Sequence, residues 1–433
     1  MSLEQDVRRN RTTTLHAVLL LLLGAAGRAS AGEPLSLEVA LREARAANAH
    51  LPLPALDTSI ASEREKEARA EQWLKVALEG DFAYAPPGYA ISLTNLGNAR
   101  LQAVVRQPLY AGGSLRAAVD RAGAGVEAAR GRYRMVEKDL ELEVRSRFSE
   151  LLEIDSEASI RGAGLEELGS YRTSLRSRQA SGQGIAADLL KTNVRLALEE
   201  ATLAEAEQRR DDVRLSLNEL MGRDPSSPLE LEPLPIPEAP RDGDPAAWQN
   251  APELRVAEAA ARSAEADTVI ATAERRPHLF FSADAGFWTD DTTHLGAHFW
   301  DRFWRDAGYS FALVFVWNIW DPGAARARIA QASLGLQRSR LQLEVGRRDA
   351  RLAWEKAHAA LGHLYQQISI LSRAVPDARD SYLDAQSRYR GGAATALEVL
   401  EAHSAAVEAA VRRSDAIARY RVAEAVALRW STP

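Results

Sequence analysis

The sequence predicts an α+β membrane protein in which very long helices adjoin a small set of amphipathic strands. Three observations support this fold class: an internal repeat, four short runs of alternating residues, and a heptad-like apolar pattern. The 433 residues include no cysteine and carry a formal net charge of -6. This composition excludes disulfides and cysteine nucleophiles, and it offers no basic excess for binding nucleic acid.

The internal repeat covers most of the chain. Subtracting 177 from 387 gives an offset of 210, at which segment 177–190 recurs as 387–400. The same offset aligns 107–113 with 317–323. Matched positions are Gly182 with Gly392, Asp188 with Glu398, and Leu190 with Leu400. A gapless offset from residue 107 to about residue 430 indicates a tandem duplication.

Residues 1–31 are predicted to be a secretory signal peptide. Arg8, Arg9 and Arg11 precede an apolar run at 17–26, and a small-x-small cleavage site follows the run. The alternative is a membrane anchor, but a bilayer crossing requires about 20 apolar residues. Because no cysteine follows the run, lipoprotein processing is excluded.

The mature chain divides into a first repeat (32–223), a proline-rich linker (224–247) and a second repeat (248–430). The prolines of the linker exclude both a helix and a central strand, so an extended conformation is expected there. We predict that each repeat contains helices, two strands and one long helical hairpin.

Four runs of about ten residues alternate between apolar and polar side chains. They cover 76–84, 100–109, 278–287 and 309–319. Strands of this length, with one apolar face, match those of a transmembrane β-barrel. The side chains predicted to face a wet lumen are Glu79, Asp81, Arg100, Gln102, Arg106 and Asp284. The alternative is a small sheet with one face on a soluble core.

Four strands cannot close into a barrel, since barrels begin at about eight strands. Open sheet edges are not tolerated in hydrocarbon, because their backbone groups find no water there. Other copies of the chain must therefore pair with these edges. Three copies would give 12 strands, an even number in the allowed range, although two or four copies satisfy the same argument.

Each second strand leads into a very long helix. The 68 residues from Ser114 up to the turn at Gly182 would span roughly 100 Å as a helix. Along this helix, apolar residues recur in alternating steps of three and four, which is the repeat of a supercoiled helix. They are Val119, Ala122, Val126, Ala129, Tyr133, Val136 and Leu140. After the turn, Leu190, Val194, Ala197, Ala201 and Ala204 are predicted to continue this seam.

With these features in place, the sequence resembles the TolC-like outer membrane efflux proteins, also called outer membrane factors. The resemblance rests on the duplication, on the junctions 107–113 and 319–323, and on the hairpin ends Asp188-Leu-Leu and Glu398-Val-Leu. It implies a homotrimer with a 12-stranded β-barrel in the outer membrane of a Gram-negative bacterium. It also implies a long α-helical coiled-coil tunnel (an α-barrel) in the periplasm.

The function that the resemblance implies is that of an exit duct. Such a duct serves a tripartite efflux or type I secretion system, together with a periplasmic adaptor (membrane fusion) protein and an inner-membrane pump of the RND or ABC type. The alternative is a periplasmic coiled-coil adaptor or a structural protein of an export complex. An adaptor would use one hairpin, whereas this chain has two. No nucleophile, metal or phosphate motif supports an enzyme, and no cofactor is expected.

The resemblance also implies a gate at the hairpin ends. Its acidic ring falls on Glu398 and Glu401, with Asp188 on the other hairpin. A basic residue that helps to hold the gate shut in the family falls on Ala394, and Lys191 is the replacement that we consider. The alternative for the acids is a solvated helix face or a helix cap. The hairpin glycines are predicted both to make the turns and to mark where the adaptor docks: Gly182, Gly184, Gly391 and Gly392.

Two further groups of residues lie near the later strands. The first has metal-like spacing and comprises Asp290, Asp291, His294, His298 and Asp301. We favour a polar surface loop over a metal site for it, because nothing fixes its geometry. The second is predicted to form an aromatic belt at the membrane interface, with core packing as the alternative: Trp288, Trp300, Trp304, Trp317 and Trp320.

Overall fold

The computed structural model describes residues 34–84, 97–182, 185–240, 244–289 and 307–431. The predicted signal peptide lies outside these residues. The same holds for Gly184, Asp290, Asp291, His294, His298, Trp300, Asp301 and Trp304, and for the side chain of Trp288.

Helices dominate the fold. They are α1 (Leu37–Ala47), α2 (Pro52–Ala70), α3 (Ser114–Ala180), α4 (Ala186–Leu220), α5 (Pro252–Ala273), α6 (Ala324–Arg390) and α7 (Ala396–Ser431), with a short 3-10 turn at Ala247–Asn250. We call α3 and α4 the first hairpin, and α6 and α7 the second. Helices α3 and α6 each have 67 residues, and they begin at the two positions that the repeat offset relates. At about 1.5 Å per residue, each is roughly 100 Å long.

The four predicted strands form one antiparallel sheet in chain order. They are β1 (Lys75–Tyr84), β2 (Gly97–Ala111), β3 (His278–Thr289) and β4 (Ala307–Val316). Strand β4 ends earlier than the predicted Ile319, because Val316 already pairs with His278, the first residue of β3. Strand β2 continues past Pro108 through a register shift, where a proline is tolerated.

The sheet has one polar and one apolar face, as the alternation predicts. On the polar face Arg100 pairs with Asp81 at 2.6 Å, and Arg106 pairs with Glu79 at 3.0 Å. Gln102 lies opposite Glu79. The other face carries exposed large apolar side chains on both outer strands: Val76, Leu78 and Phe82 on β1, and Tyr309, Phe311, Leu313 and Phe315 on β4.

The long helices form a layer rather than a thick core. Helix α3 packs against α4 and α7 below the sheet, and against α2 and α5 nearer to it, while α6 packs against α7 and α5. The layer therefore has α2 and α4 along one edge and α6 along the other. Within the described helices, no apolar stretch is long enough to cross a membrane.

The predicted seam of α4 does not pack within the chain. Leu190 and Val194 are 64% and 61% exposed, and the side that meets α3 carries Thr192, Leu196 and Glu199 instead. This charged side can be buried because Arg161 of α3 bonds both to Glu157 at 2.7 Å and to the nearly buried Glu199 at 3.1 Å. Paired charges can be buried where unpaired charges cannot.

The linker is extended, as predicted, but it is firmly attached. Leu231 forms a parallel bridge with Leu35, and Asn218 donates to the backbone of Pro225 and Ser227. At its far end the Tyr420 hydroxyl donates to the Glu238 carbonyl at 3.1 Å. The linker thus contacts the last helix of each hairpin, α4 through Asn218 and α7 through Tyr420.

Candidate gate at the hairpin ends

The turns of both hairpins require glycine. Gly182 has a φ of 75° and Gly392 a φ of 76°, a left-handed conformation that residues with a Cβ rarely adopt. After α6, the amide of Ala393 donates to the Arg388 carbonyl at 2.8 Å, which closes the helix end. Gly391 has an ordinary negative φ and caps α6. The turn-making prediction is therefore confirmed for Gly182 and Gly392, whereas docking at these glycines stays a prediction.

Tyr389, in the last turn of α6, links the second hairpin to the first. Its hydroxyl donates to Oδ2 of Asp188, in the first turn of α4, at 3.3 Å. Arg178 of α3 places its guanidinium 5.4 Å from the Tyr389 ring centroid and donates to the Arg390 carbonyl at 2.8 Å. Tyr171 contacts the same ring edge-on at 5.6 Å. These contacts join three helices just above the turns.

The phenols in this cluster stay protonated. Burial, followed by the negative charge of Asp188, raises the pKa of Tyr389 above its ordinary value. Burial likewise raises the pKa of Tyr171. Each hydroxyl therefore keeps its proton near neutral pH, and the Tyr389 hydroxyl acts as a donor to the Asp188 carboxylate.

Glu398, in the first turn of α7, completes the cap of that helix. Its amide donates to Thr395 Oγ1 at 3.3 Å, and its carboxylate accepts from the Thr395 amide at 3.3 Å. This reciprocal pair is a capping box. Arg388, across the turn, lies 3.7 Å from the same carboxylate. The capping alternative is thus realised for Glu398, and its charge remains at the end of the hairpin.

An apolar groove of about 670 Å³ runs between α4 and α7 near the turns. Lys191 and Glu401 both line it, but Lys191 forms no ion pair in the part of the chain that the structure describes. Within the chain, the basic partner of Glu398 is Arg388. The large apolar side chains of the lining are Leu190, Val194, Leu198, Leu397 and Leu400.

Tyr389, Arg178 and Arg388 are not among the site residues that the sequence predicted. A signal for the arginines was present, because basic residues favour the last turn of a helix, where they offset its dipole. Tyr389 carried no comparable signal, since a lone tyrosine before a turn is usually core packing. Only the fold shows that Tyr389 and Asp188, 201 residues apart, are neighbours.

The predicted lumen residues lie on the sheet, far from the hairpin ends. Besides the two ion pairs of β1 and β2, Asp284 accepts a bond from the Ser310 hydroxyl at 2.6 Å. Trp317 and Trp320 are exposed beside the end of β4, and the Trp317 indole donates to the Arg275 carbonyl at 3.1 Å. Among the described residues, no cluster of three or more His, Asp or Glu is placed to hold a metal.

Comparison with known proteins gives a consistent result. The family described as "Outer membrane efflux protein" matches residues 34–223 and 245–429. The chain is similar in structure to the outer-membrane channel OprN, with 20% identity and a TM-score of 0.81 over 91% of this chain and 89% of that one. It is also similar to VceC of Vibrio cholerae, with 18% identity and a TM-score of 0.80 over 90% and 95%.

A third similar structure is the open state of the MtrE outer membrane channel of Neisseria gonorrhoeae, with 19% identity and a TM-score of 0.75 over 92% of this chain and 91% of that one. No curated protein matches the sequence. Because these identities are low, the structural similarities establish the fold, while the family match covers nearly all of the described chain.

Proposed function

Because the chain belongs to the outer membrane efflux protein family, we propose that it is the exit duct of a tripartite efflux or type I secretion system. In this role it receives substrates at the hairpin ends and releases them to the exterior through a pore in the outer membrane. The periplasmic adaptor and an inner-membrane pump of the RND or ABC type would supply energy and selectivity.

The observation that carries the proposal is that the sheet and the helical layer both end in edges with no partner among the described residues. Among the described strands, β1 pairs only with β2 and β4 only with β3, and both expose apolar side chains. The helical layer matches this arrangement, since α6 exposes an apolar stripe along one edge and α2 along the other. The stripes are Leu334, Leu341, Val345 and Leu352 on α6, and Leu53, Leu56 and Ile60 on α2.

Both kinds of edge are satisfied when copies of the chain join side by side. The α6 stripe has steps of seven, four and seven residues, which suits coiled-coil packing against another helix. Pairing β4 of one copy with β1 of the next closes the sheet, and three copies give a barrel of 12 strands. We therefore propose a homotrimer with the helices forming a tunnel in the periplasm.

The hairpin ends would then form the gate. In the proposed trimer Asp188, Glu398 and Glu401 lie around the tunnel entrance, where a ring of carboxylates attracts cations. The bond from Tyr389 to Asp188 holds the two hairpins of one copy together in the closed form. The turns at Gly182 and Gly392, with the adjoining apolar groove, are the surface that we assign to the adaptor.

The experiment that tests this proposal combines fractionation with native mass spectrometry of the extracted protein. We expect the mature chain in the outer-membrane fraction as a trimer that resists dissociation in mild detergent. A monomer in the soluble periplasmic fraction would contradict the duct and would favour the adaptor alternative.

A Tyr389→Phe variant is expected to open more readily. The substitution keeps the aromatic contacts with Arg178 and Tyr171 but removes a hydrogen bond to a carboxylate, which contributes about 1 kcal/mol at this partly exposed position. The open probability in planar bilayers should therefore rise about fivefold. Tyr420→Phe is the matched control, because it removes a similar bond at the far end of the chain. If the two variants raise the open probability equally, the Tyr389 hydroxyl does not hold the gate closed.

A further inference from the structure

His403 is buried where the two hairpins meet. It lies two turns into α7 with 1% of its surface exposed. Its Nε2 is 3.1 Å from the Gly164 carbonyl of α3, and its ring meets Tyr382 of α6 edge-on at 5.1 Å. A Cβ on Gly164 would lie 3.5 Å from the imidazole and 3.0 Å from Val407, so the close approach of the two helices depends on that glycine.

The Gly164 carbonyl fixes the tautomer of the neutral ring. A carbonyl oxygen only accepts, so Nε2 carries the hydrogen and Nδ1 is left with its lone pair. Nδ1 is buried and has no hydrogen-bond partner among the described residues. A second proton must therefore go to Nδ1, where it would form a buried N–H without an acceptor, on a ring that has become charged.

The charged groups around the ring partly offset the cost of protonating the buried imidazole. Glu167 of α3 lies 3.8 Å from Nε2, but it is already paired with Arg379 of α6 at 2.6 Å. On α4, Glu199 favours the imidazolium and Arg195 disfavours it. Burial outweighs these charges and lowers the pKa of His403 below its ordinary value of 6.5.

We propose that His403 is a proton-sensitive latch between the two hairpins, closed in its neutral form and released by proton uptake. The protein gives the Nδ1 proton no acceptor while α3, α6 and α7 are packed. Separation of the hairpins admits water, which can accept a hydrogen bond from Nδ1 and solvate the charge. Acidification of the periplasmic side therefore favours the separated form. The latch lies directly above the Tyr389 cluster, so its release loosens the gate of the proposed duct.

The direction of the pH effect distinguishes His403 from Glu153, a partly buried carboxyl on α3 whose pKa is also shifted. Burial, then Glu157 and Asp415, raise the pKa of Glu153 on α3 to about 7. The packed form binds that proton more tightly than a separated form would, so Glu153 alone would make acidification favour packing. His403 has the opposite sign, because its pKa is lowered by packing. Opening on acidification therefore points to the histidine.

The inference rests on the proposed function for its first test, which is the open probability in planar bilayers at about pH 7.5 and about pH 5.5. The wild type should open several times more often at the lower pH, because the separated form takes up a proton that the packed form resists. His403→Gln, whose amide can still donate to Gly164, should lose this response. His363→Gln is the matched control, because His363 is exposed on α6, and it should keep the response. A wild-type channel without pH dependence, or an unchanged response in His403→Gln, would overturn the latch.

A second test needs no channel activity. Hydrogen exchange of the segment 396–410 is compared between the wild type and His403→Gln at the same pH, so that intrinsic rates cancel. The latch predicts that wild-type protection falls more than that of the variant on acidification, and equal losses would overturn it. If His403→Gln fails to fold, Glu167→Gln provides the check. Removing that carboxylate lowers the pKa of His403 in the packed form further, so the response to acidification should be larger than in the wild type and should extend to lower pH. An unchanged response would overturn the latch. Absence of channels in every variant would refute the duct, and hydrogen exchange would still decide the latch.

Discussion

A Leu313→Arg variant is expected to be nearly absent from the outer membrane. Leu313 lies on the apolar face of β4, opposite Phe281, and is 64% exposed in the single chain. In the proposed barrel this face meets lipid, where an arginine near the bilayer midplane costs about 2–4 kcal/mol. Because a trimer carries the charge three times, the cost is comparable to the stability of a whole domain. The measurement is the amount of heat-resistant trimer in purified outer membranes.

The control for Leu313 is its neighbour. Ala312 points to the polar face, opposite Ser282, so Ala312→Arg places the same charge in the predicted wet lumen. That variant should assemble at near wild-type levels. If Leu313→Arg assembles normally, or if Ala312→Arg is the variant that fails, the assignment of the two faces is wrong.

Gly286→Val is expected to break the sheet at its centre. A Cβ on Gly286 would overlap the backbone carbonyl of Leu101 and Cα of Gln102, in the adjacent strand β2. Backbone atoms cannot move away without losing the β2–β3 ladder, so the cost should exceed the roughly 1–3 kcal/mol that is typical of overpacking. We expect the heat-resistant trimer to lose most of its thermal stability.

Gly308 provides the matched control, because it lies directly opposite Gly286 on the outer strand β4. A Cβ there would meet no atom within 4 Å. Gly308→Ala should therefore change the stability by less than about 0.5 kcal/mol. Similar losses in both variants would mean that the overlap with β2 does not determine the effect.

The parts of the fold that periodicity encodes could be predicted from the sequence. The strands, their two faces and the start of α3 at Ser114 follow from period 2 alternation and from the repeat offset. The end of β4 could not be predicted, because it depends on where β3 begins. The packing face of α4 was missed because its central residue, Glu199, is charged, and patterns of apolar residues do not reveal a charge that Arg161 neutralises.

The candidate gate was predictable in position but not in its contacts. The offset of 210 places Asp188 and Glu398 at equivalent hairpin ends. Their partners are in the other hairpin or across the turn, at distances in sequence that only the folded chain brings together. The roles of Tyr389 and Arg178 therefore become visible only in the folded chain, where α3, α4 and α6 pack together. The capping role of Glu398 was among the alternatives and is local, since Thr395 precedes it by three residues.

The central claim is that copies of this chain form a gated pore, and single-channel conductance in a planar bilayer tests it most directly. We expect discrete, cation-preferring openings from the purified trimer. The preference should disappear in Glu398→Ala/Glu401→Ala. The control is Glu408→Ala, which lies about two to three turns farther along α7 and also lines the groove. If the double variant keeps the cation preference, Glu398 and Glu401 do not form a selective acidic ring. A trimer that never conducts, even as Tyr389→Phe, would contradict the duct itself.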